Sequence, residues 1–253
     1  MLTADPEPCL SIVIPTYNEA RGIAETLAQW SASLRTWAST WEVLVADDGS
    51  TDATVACVKD AMPEDARIRI IELPHRGKGS AVRQGMLSAR GAWRFLADAD
   101  LSMDVGALQS FFVPSGERGL ADVVMGSREA AGARRVGEPW RRHAIGRVFN
   151  WLARLVAVPG VQDTQCGFKL FSRQAALSLF PHQTLDGFAY DVEILFLARR
   201  AGFSMLELPI TWTFRPSSRV RVGTGSRAFA DVLRIRWNAL AGRYDGLGRH
   251  VAV

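Results

Sequence analysis

The sequence has few of the residues that build disulfide frameworks or zinc sites. Its three cysteines, Cys9, Cys57 and Cys166, are odd in number and form no Cys-x-x-Cys pair. They are therefore typical of a reducing compartment. The four histidines are scattered without metal-ligand spacing, which disfavours a zinc site. Internal repeats, low-complexity segments and an obvious linker are also absent from the sequence.

Long apolar runs are missing as well. No stretch approaches the ~20 apolar residues that span a bilayer, and acidic and proline residues occupy 1–9, where the apolar part of a signal peptide would lie. We therefore expect a cytoplasmic protein that is soluble or lies on a membrane surface without crossing it. The chain has 253 residues, 48% of them hydrophobic and 22% charged, which is ordinary for a globular protein.

Positive charge is concentrated in two segments. Seven arginines face two glutamates between 128 and 154, and seven face one aspartate between 215 and 243. Clustered arginine indicates anionic partners such as phosphate, nucleic acid or lipid head groups, although a solvated basic face has the same composition. Because no nucleic-acid-binding motif accompanies the arginines, we expect no nucleic-acid partner.

Strand and helix patterns alternate along the first half. Predicted strands cover 10–15, 41–46, 67–73, 92–97 and 122–125, and predicted helices cover 20–34, 53–61, 80–89 and 105–113. This order predicts an α/β fold with a mostly parallel sheet flanked by helices. Ligands of such sheets bind beyond the carboxyl ends of the strands, which is where Tyr17, Asp48, Asp98, Asp100 and Arg128 fall.

The second half is more elaborate. It is predicted to hold a mobile loop at 130–139, a polar cluster at 161–171, a helix at 187–200 and a strand at 205–214. Segments 141–158 and 226–240 predict amphipathic helices that pair an apolar face with arginines. Such a helix lies at a membrane interface or packs on the core with a basic outer face, and the pattern alone leaves both open.

The most informative motif is Asp98-Ala99-Asp100, directly after an apolar run. Two carboxylates separated by one residue suit a divalent cation such as Mg²⁺, which is held by one or two carboxylates together with substrate phosphates. Ordinary turn chemistry also produces this triplet. The functional interpretation is favoured here because two earlier strands also end in polar turns.

Two turns predict contacts with a nucleotide or its phosphates. An acidic side chain in the turn at 47–50 is placed to bind ribose or base at a switch point of the sheet, although aspartate and glycine suit such turns without any function. The glycine-rich turn at 76–80 offers backbone amides and Lys78 to a phosphate, or simply begins a helix. It is no Walker sequence, because Glu72 stands where that motif needs glycine.

Three further charged residues have two interpretations each. Arg128, at a strand end, is a solvated charge or a clamp on a phosphate. Asp191 and Glu193 begin an otherwise apolar helix, where they lie at the solvent edge or point into the cleft; we favour the cleft.

Together these motifs resemble the family 2 inverting glycosyltransferases, which have a GT-A (Rossmann-like) fold. The resemblance rests on 15–19, 47–50, 98–100 and 126–128, and it covers roughly 10–240. Within that family, 163–169, 188–193 and the late pair Arg215 and Arg219 are similar to the dolichyl- or polyprenyl-phosphate sugar synthases. The sequences Asp-Thr-Gln-Cys-Gly-Phe-Lys at 163–169 and Tyr-Asp-Val-Glu at 190–193 are closest to the dolichyl-phosphate beta-glucosyltransferase branch.

The resemblance implies roles for individual residues. The nucleotide would be cradled by Pro15, Tyr17, Glu19, Ala46 and Asp48. The diphosphate and Mg²⁺ or Mn²⁺ would be held by Asp98, Ala99 and Asp100, with Ser102 nearby. Phosphates would be contacted by Arg128, Lys169, Arg215 and Arg219. The implied organisation is a flexible tail at 1–9 and one domain at 10–245, with a nucleotide-sugar-binding half at 10–128 and an acceptor-binding half at 129–245.

The expected reaction is inverting transfer of a hexose, glucose from UDP-glucose, to dolichyl or polyprenyl phosphate on the cytoplasmic face of a membrane. One alternative is a GDP-mannose donor. Another is a hydroxyl acceptor on a glycan or protein, for which Asp191 or Glu193 would be the general base. A catalytically silent nucleotide-binding or scaffold protein is disfavoured because both carboxylates of the triplet and Arg128 are present.

Two departures from the family pattern refine this expectation. The glucose branch in eukaryotes usually carries an N-terminal membrane anchor, which we do not expect in this sequence. Leu233 stands where processive polysaccharide synthases have the glutamine of Gln-x-x-Arg-Trp, so we expect no chain elongation.

Overall fold

The predicted α/β architecture is confirmed. A computed structural model describes residues 7–37, 39–116, 118–215 and 222–250, and these form a seven-stranded sheet with helices on both faces and a separate two-stranded sheet. Every residue of strands β1 (Leu10–Thr16) and β2 (Trp41–Asp47) is buried. Strands that are buried along their whole length are typical of a sheet covered on both faces.

The main sheet is mostly parallel. Its other strands are β3 (Ile68–Glu72), β4 (Trp93–Leu96), β5 (Val123–Ser127), β7 (Lys169–Ser172) and β8 (Met205–Pro209), in the spatial order β3-β2-β1-β4-β7-β5-β8. Strand β7 is antiparallel to both of its neighbours. Strands β6 (Arg134–Val136) and β9 (Thr211–Thr213) form the small parallel sheet.

Helices cover the main sheet on two sides. They are α1 (Ile23–Leu34), α2 (Thr54–Ala61), α3 (Lys78–Ser88), α4 (Trp140–Val156), α5 (Arg173–Leu179), α6 (Tyr190–Ala201) and α7 (Val222–Leu240). Alternate residues of β1 enter separate apolar clusters: Val13 packs with α3 and α6 residues, whereas Ile12 and Ile14 pack with those of α1. Period-two alternation thus supplies a core on each face. No helix in the described ranges is long and apolar enough to cross a membrane.

Several local predictions were wrong. The segment expected as a loop at 130–139 contains β6, and the single strand expected at 205–214 is divided between the two sheets as β8 and β9. The helix expected at 105–113 is a 3-10 helix over Val105–Phe111. Strand β7 and helix α5 were missed. Strand β7 consists of only four residues, Lys-Leu-Phe-Ser, which is too short and too mixed to indicate a strand by periodicity.

The order of strands brings the predicted site residues together at the carboxyl ends of the parallel strands. Strands β2 and β3 lie on one side of β1, and β4 lies on the other. The direction in which successive strands are added to the sheet therefore reverses between β1 and β4, although the two strands are parallel. Val13 pairs with Leu96, and Ala97 N–H donates to Val13 O. The residues that follow β1, β2 and β4 therefore surround the switch point, where open sheets bind ligands.

Candidate functional site

The aspartate triplet forms a tight turn after β4. Asp98 and Asp100 are partly exposed and Ala99 between them is buried. Ser102 N–H donates to Asp100 Oδ1 (2.9 Å), and this closure requires Leu101 at φ +51°. Because a left-handed leucine is strained, the turn has a defined shape that the surrounding contacts must impose. One such contact is the Thr26 hydroxyl of α1, which donates to Ala99 O (2.7 Å).

A lysine ammonium lies beside the triplet. Lys78 Nζ lies 2.6 Å from Asp98 Oδ1, and both side chains are 27% exposed. Burial alone would raise the pKa of the Asp98 carboxyl, but the Lys78 ammonium outweighs it and holds this pKa below its usual range. Burial likewise opposes the charge of Lys78, whose pKa is nevertheless raised because Asp98, Asp191 and Asp100 surround it.

The polar cluster predicted at 161–171 contacts the triplet through Gly167. A Cβ atom placed on Gly167 would lie 1.9 Å from Asp98 Oδ2, so only glycine permits this approach. Just beyond, Lys169 is buried, and its Nζ bonds Cys166 O and Asp191 Oδ1 (2.6 Å). Burial raises the pKa of the Asp191 carboxyl, and Lys169 opposes that rise only in part.

Arg128 is held in a buried ion pair. Its guanidinium donates to Asp163 through Nε (2.7 Å) and Nη2 (2.9 Å), and its backbone N–H donates to the same carboxylate (3.0 Å). Burial would raise the pKa of Asp163, yet Arg128 outweighs it and keeps this pKa well below its usual range. Arg128, the predicted phosphate clamp, therefore already has a counter-ion. That counter-ion, Asp163, is not among the individual site residues predicted from the sequence.

The predicted nucleotide cradle lies at the ends of β1 and β2. Pro15 and Ala46 are buried register partners on these strands, and Glu19 is half-buried in the turn after β1. Tyr17 stacks on His75, with ring centroids 4.1 Å apart. His75 was not predicted; sequence alone offers no signal for it beyond its place at the start of the glycine-rich turn.

The carboxylate of Asp48 is hydrogen-bonded to the backbone of the glycine-rich turn. Its carboxylate accepts the backbone N–H groups of Arg76 (2.9 Å) and Gly77 (2.9 Å), and His75 Nδ1 lies 2.8 Å from its Oδ2. The side chain is almost wholly buried. Asp48 thus shapes the turn that begins α3 and delivers Lys78.

The remaining predicted residues are less central. Ser102 is buried, and its carbonyl accepts the Thr213 N–H. Arg215 is exposed just beyond β9, and Arg219 lies outside the described residues. Glu193 is fully buried and accepts four hydrogen bonds, which leaves its carboxylate without the access that a general base needs.

The donor set fits an oxygen-preferring cation that is shared with a diphosphate. Across the described ranges no three His, Cys, Asp or Glu side chains come close enough to hold a metal unaided. Asp98 and Asp100 provide two carboxylates, and a bound diphosphate would add the further oxygens that Mg²⁺ or Mn²⁺ requires. Gln165 Nε2, on the segment that abuts Asp98, is buried without a partner, as expected of a group that awaits a polar ligand.

These features define a nucleotide-dependent transferase of the GT-A fold. The glycosyl transferase family 2 model matches residues 11–180, so the chain belongs to glycosyl transferase family 2. The predicted family, fold and enzyme class, a glycosyltransferase, are thereby confirmed.

Similar proteins lie in the expected branch. The Saccharomyces cerevisiae protein named dolichyl-phosphate beta-glucosyltransferase is 35% identical, over 95% of this chain and 78% of its own length. The human protein of the same name is 33% identical, over 94% of this chain and 78% of its own length. Similarity of this extent spans the triplet, the polar cluster and helix α6 together.

A solved structure shares the fold at lower identity. Mycobacterium tuberculosis glucosyl-3-phosphoglycerate synthase, in complex with Mn²⁺, UDP and glucosyl-3-phosphoglycerate, superposes with a TM-score of 0.65. It is 18% identical, and the match covers 97% of this chain and 82% of that one. The chain thus has the architecture of an enzyme that was crystallised with a divalent metal and a nucleotide.

Proposed function

We propose that this chain transfers glucose from UDP-glucose, with inversion, to dolichyl or another polyprenyl phosphate at a membrane surface. The observation that carries the proposal is the cluster of Asp98, Asp100 and Lys78 at the switch point of the sheet. The relatives named dolichyl-phosphate beta-glucosyltransferase, which match over nearly the whole chain, support the sugar and the acceptor.

On the donor side, Asp98 and Asp100 would hold Mg²⁺ or Mn²⁺, which stabilises the charge of the leaving diphosphate. Lys78 would then leave Asp98 and bind the diphosphate, because an ammonium bonds phosphate as readily as carboxylate. Tyr17 and His75 would orient the nucleoside, and Asp48 would act through the glycine-rich turn that its carboxylate holds. None of these residues needs to exchange a proton for the bond to break.

On the acceptor side, the chemistry asks for positioning. A phosphate acceptor is already anionic at neutral pH, so its oxygen attacks the anomeric carbon without a strong general base. Lys169 is paired with Asp191, and Arg128 with Asp163. Each cation would give up part of that contact to bond an oxygen of the acceptor phosphate and so place it beside the donor. Arg215, exposed beyond β9, would add a positive charge farther out.

Helices α4 and α7 would bring the enzyme to the lipid. They pack on each other through Phe149 and Phe229, whose ring centroids are 5.4 Å apart. Both expose large apolar side chains: Trp140, Ile145, Val148, Trp151 and Leu155 on α4, and Leu233, Trp237 and Leu240 on α7. Exposed arginines, Arg147, Arg154, Arg234 and Arg236, accompany them. Apolar side chains flanked by arginine are typical of interfacial helices.

The test is transfer of labelled glucose from UDP-glucose to dolichyl phosphate in the presence of Mn²⁺. Asp100→Asn should reduce turnover by about a hundred- to a thousandfold, the scale of one lost electrostatic stabiliser. Asp104→Asn is the matched control, since Asp104 is exposed and only caps the following 3-10 helix. Near-normal turnover of Asp100→Asn, or transfer from GDP-mannose alone, would contradict the proposal.

One observation favours a second candidate, a hydroxyl acceptor. Burial raises the pKa of Asp191, which suits a general base for a sugar or protein hydroxyl. Asp191→Asn separates the two: it should abolish transfer to a hydroxyl acceptor but only weaken transfer to a phosphate acceptor. Parallel assays with both acceptor classes measure this difference.

A further inference from the structure

The side chain of Glu193 is fully buried and has no access to solvent. Its carboxylate accepts hydrogen bonds from Thr184 N–H (3.0 Å), the Thr184 hydroxyl (2.6 Å), Leu185 N–H (2.9 Å) and the Tyr244 hydroxyl (2.6 Å). Burying a carboxylate is costly unless donors satisfy it. A glutamine would turn an N–H₂ group toward one of these donors, so only the carboxylate accepts all four.

The donors to Glu193 come from two distant parts of the chain. Thr184 and Leu185 belong to the loop at 183–187 that precedes α6, whereas Tyr244 follows α7. Helix α7 makes a second connection, since Asn238 Nδ2 donates to Thr184 Oγ1 (2.9 Å). Both Asn238 and Tyr244 are fully buried. The loop is therefore fastened to the C-terminal helix at this carboxylate.

The same loop seats the beginning of α3. Asp186 O accepts Gly79 N–H (2.8 Å), and Gln183 Nε2 donates to Gly79 O (2.9 Å). The fit is close: a Cβ on Gly79 would lie 2.6 Å from Leu185 O. Lys78, the adjacent residue, is the one whose ammonium holds Asp98.

We propose that Glu193 is a positioning residue that fixes Lys78 against the aspartate triplet and joins this arrangement to helix α7. The connection runs from Tyr244 and Asn238 through the 183–187 loop to the first turn of α3. It rests on the proposed function, because Lys78 matters only where a nucleotide diphosphate binds. On this proposal Glu193 is not the general base that we expected from the sequence. It acts instead through the position of Lys78.

The central variant is Tyr244→Phe, which keeps the buried ring. It removes one donor to Glu193 and the long hydrogen bond that the hydroxyl accepts from Asn238 Nδ2 (3.4 Å). It should weaken binding of UDP with Mn²⁺, measured by calorimetry, by about three- to tenfold, the effect of one lost hydrogen bond. In a Lys78→Gln background the same change should have little further effect, because coupled residues are not additive. A purely structural role for Tyr244 would give additive losses and would overturn the proposal.

The matched control is Ser11→Ala. The Ser11 hydroxyl also donates to a buried carboxylate, that of Glu42 (2.7 Å), and it accepts the Gly91 N–H (2.8 Å), but it lies near the amino-terminal ends of β1 and β2. This variant should leave the nucleotide affinity within about twofold, although it loses at least as many hydrogen bonds as Tyr244→Phe. An equal loss of affinity in Ser11→Ala would mean that global destabilisation, and not positioning, explains the Tyr244→Phe result.

Hydrogen exchange tests the connection without any ligand. Exchange at the Gly79 and Ser80 amides, both bonded to Asp186 O, should be faster in Tyr244→Phe and Glu193→Gln than in Ser11→Ala. Unchanged exchange at these amides would overturn the positioning role whether or not a nucleotide binds. Failure of the wild-type protein to bind any nucleotide with Mn²⁺ would instead contradict the proposed function, while faster exchange would still support the connection.

Discussion

Gly167 lies so close to the triplet that the side chain of Asp98 has no second position on that side. Substitution by alanine would place Cβ 1.9 Å from Asp98 Oδ2, well inside van der Waals contact, so the carboxylate must move. We therefore expect Gly167→Ala to weaken Mn²⁺ binding in the presence of UDP by at least about tenfold, since metal ligation depends on carboxylate orientation. Calorimetric titration of both proteins measures the change.

Gly146 supplies the control for that prediction. It lies within α4, and a Cβ there would meet nothing within 4 Å. Gly146→Ala should raise stability by about 0.5–1 kcal/mol, because glycine is poorly suited to a helix interior, and should leave metal affinity unchanged. Equal metal affinity in Gly167→Ala and the wild type would contradict the close contact with Asp98.

Lys78 should have opposite effects on the metal and on the nucleotide. Its ammonium neutralises Asp98 at 2.6 Å, and it would repel a divalent cation that approaches alone. Lys78→Gln should therefore bind Mn²⁺ alone more tightly, yet bind UDP with Mn²⁺ more weakly, because it loses a phosphate ligand. Electron paramagnetic resonance of free Mn²⁺ measures the first effect and calorimetry the second. A change of the same sign in both would be inconsistent with this dual role.

At the scale of elements, the segment before β7 is fixed by Asp163. Its carboxylate binds Arg128 at the end of β5, and its backbone N–H donates to Glu207 of β8 (2.9 Å). Asn150 of α4 accepts the Thr164 N–H. Removing one partner of a buried ion pair leaves the other charge uncompensated. Asp163→Asn should therefore lower the free energy of unfolding by about 3–5 kcal/mol at pH 7, as measured by urea denaturation.

The pH dependence of that loss follows from the direction of the shift. In the folded protein Arg128 holds the pKa of Asp163 below its usual range, so the stabilisation is complete above the unfolded pKa of about 3.9 and is lost below it. The difference in the free energy of unfolding between the wild type and Asp163→Asn should stay constant from pH 8 to about pH 5. This stability gap should close only in stronger acid. Asp122→Asn, directly before β5, should cost far less, because this carboxylate is only half-buried and accepts hydrogen bonds from the neutral donors of Ser204. A gap that closes between pH 7 and 6 would refute the assignment.

Sequence patterns predicted the elements whose signals are local. The buried runs of β1 and β2 and the carboxylates that follow them are continuous in sequence, and all were located. Strand β7 was missed because its four residues, Lys169–Ser172, become a strand only between β4 and β5. A lysine is tolerated there because Asp191, far along the chain, neutralises it.

The roles of the charged side chains were less predictable than their positions. Lys78 and Asp98 were both chosen as site residues, yet their pairing is set by the sheet order and by the 183–187 loop. Glu193 shows the same limit more sharply. From the sequence, one carboxylate on an apolar helix could face a cleft or accept hydrogen bonds inside the core. Only the folded structure decides, because it brings Thr184, Leu185 and Tyr244 into hydrogen-bonding contact with this carboxylate.

At the scale of the whole molecule, apolar and basic side chains share one surface. Trp151 of α4 and Trp237 of α7 are 58% and 68% exposed, and Leu240 is 80% exposed. Exposed apolar groups on this scale mark an interaction site more often than chance. Arg234 and Arg236 are exposed on α7 as well, so the surface is suited to an apolar layer covered by anionic groups, as an anionic membrane provides.

This surface predicts sedimentation with anionic vesicles. Arginines near anionic lipid contribute roughly 1 kcal/mol each, so Arg234→Glu/Arg236→Glu should lower the bound fraction at low salt, and rising salt should lower it in the wild type. Trp237→Ser/Leu240→Ser should also weaken binding but leave its salt dependence, because it removes only the apolar contribution. Arg35→Glu/Arg90→Glu makes the same charge change at exposed positions outside both helices and should bind like the wild type. Equal loss in this control would assign the effect to net charge, and full recovery of the wild type in the supernatant at low salt would reject the membrane-binding surface.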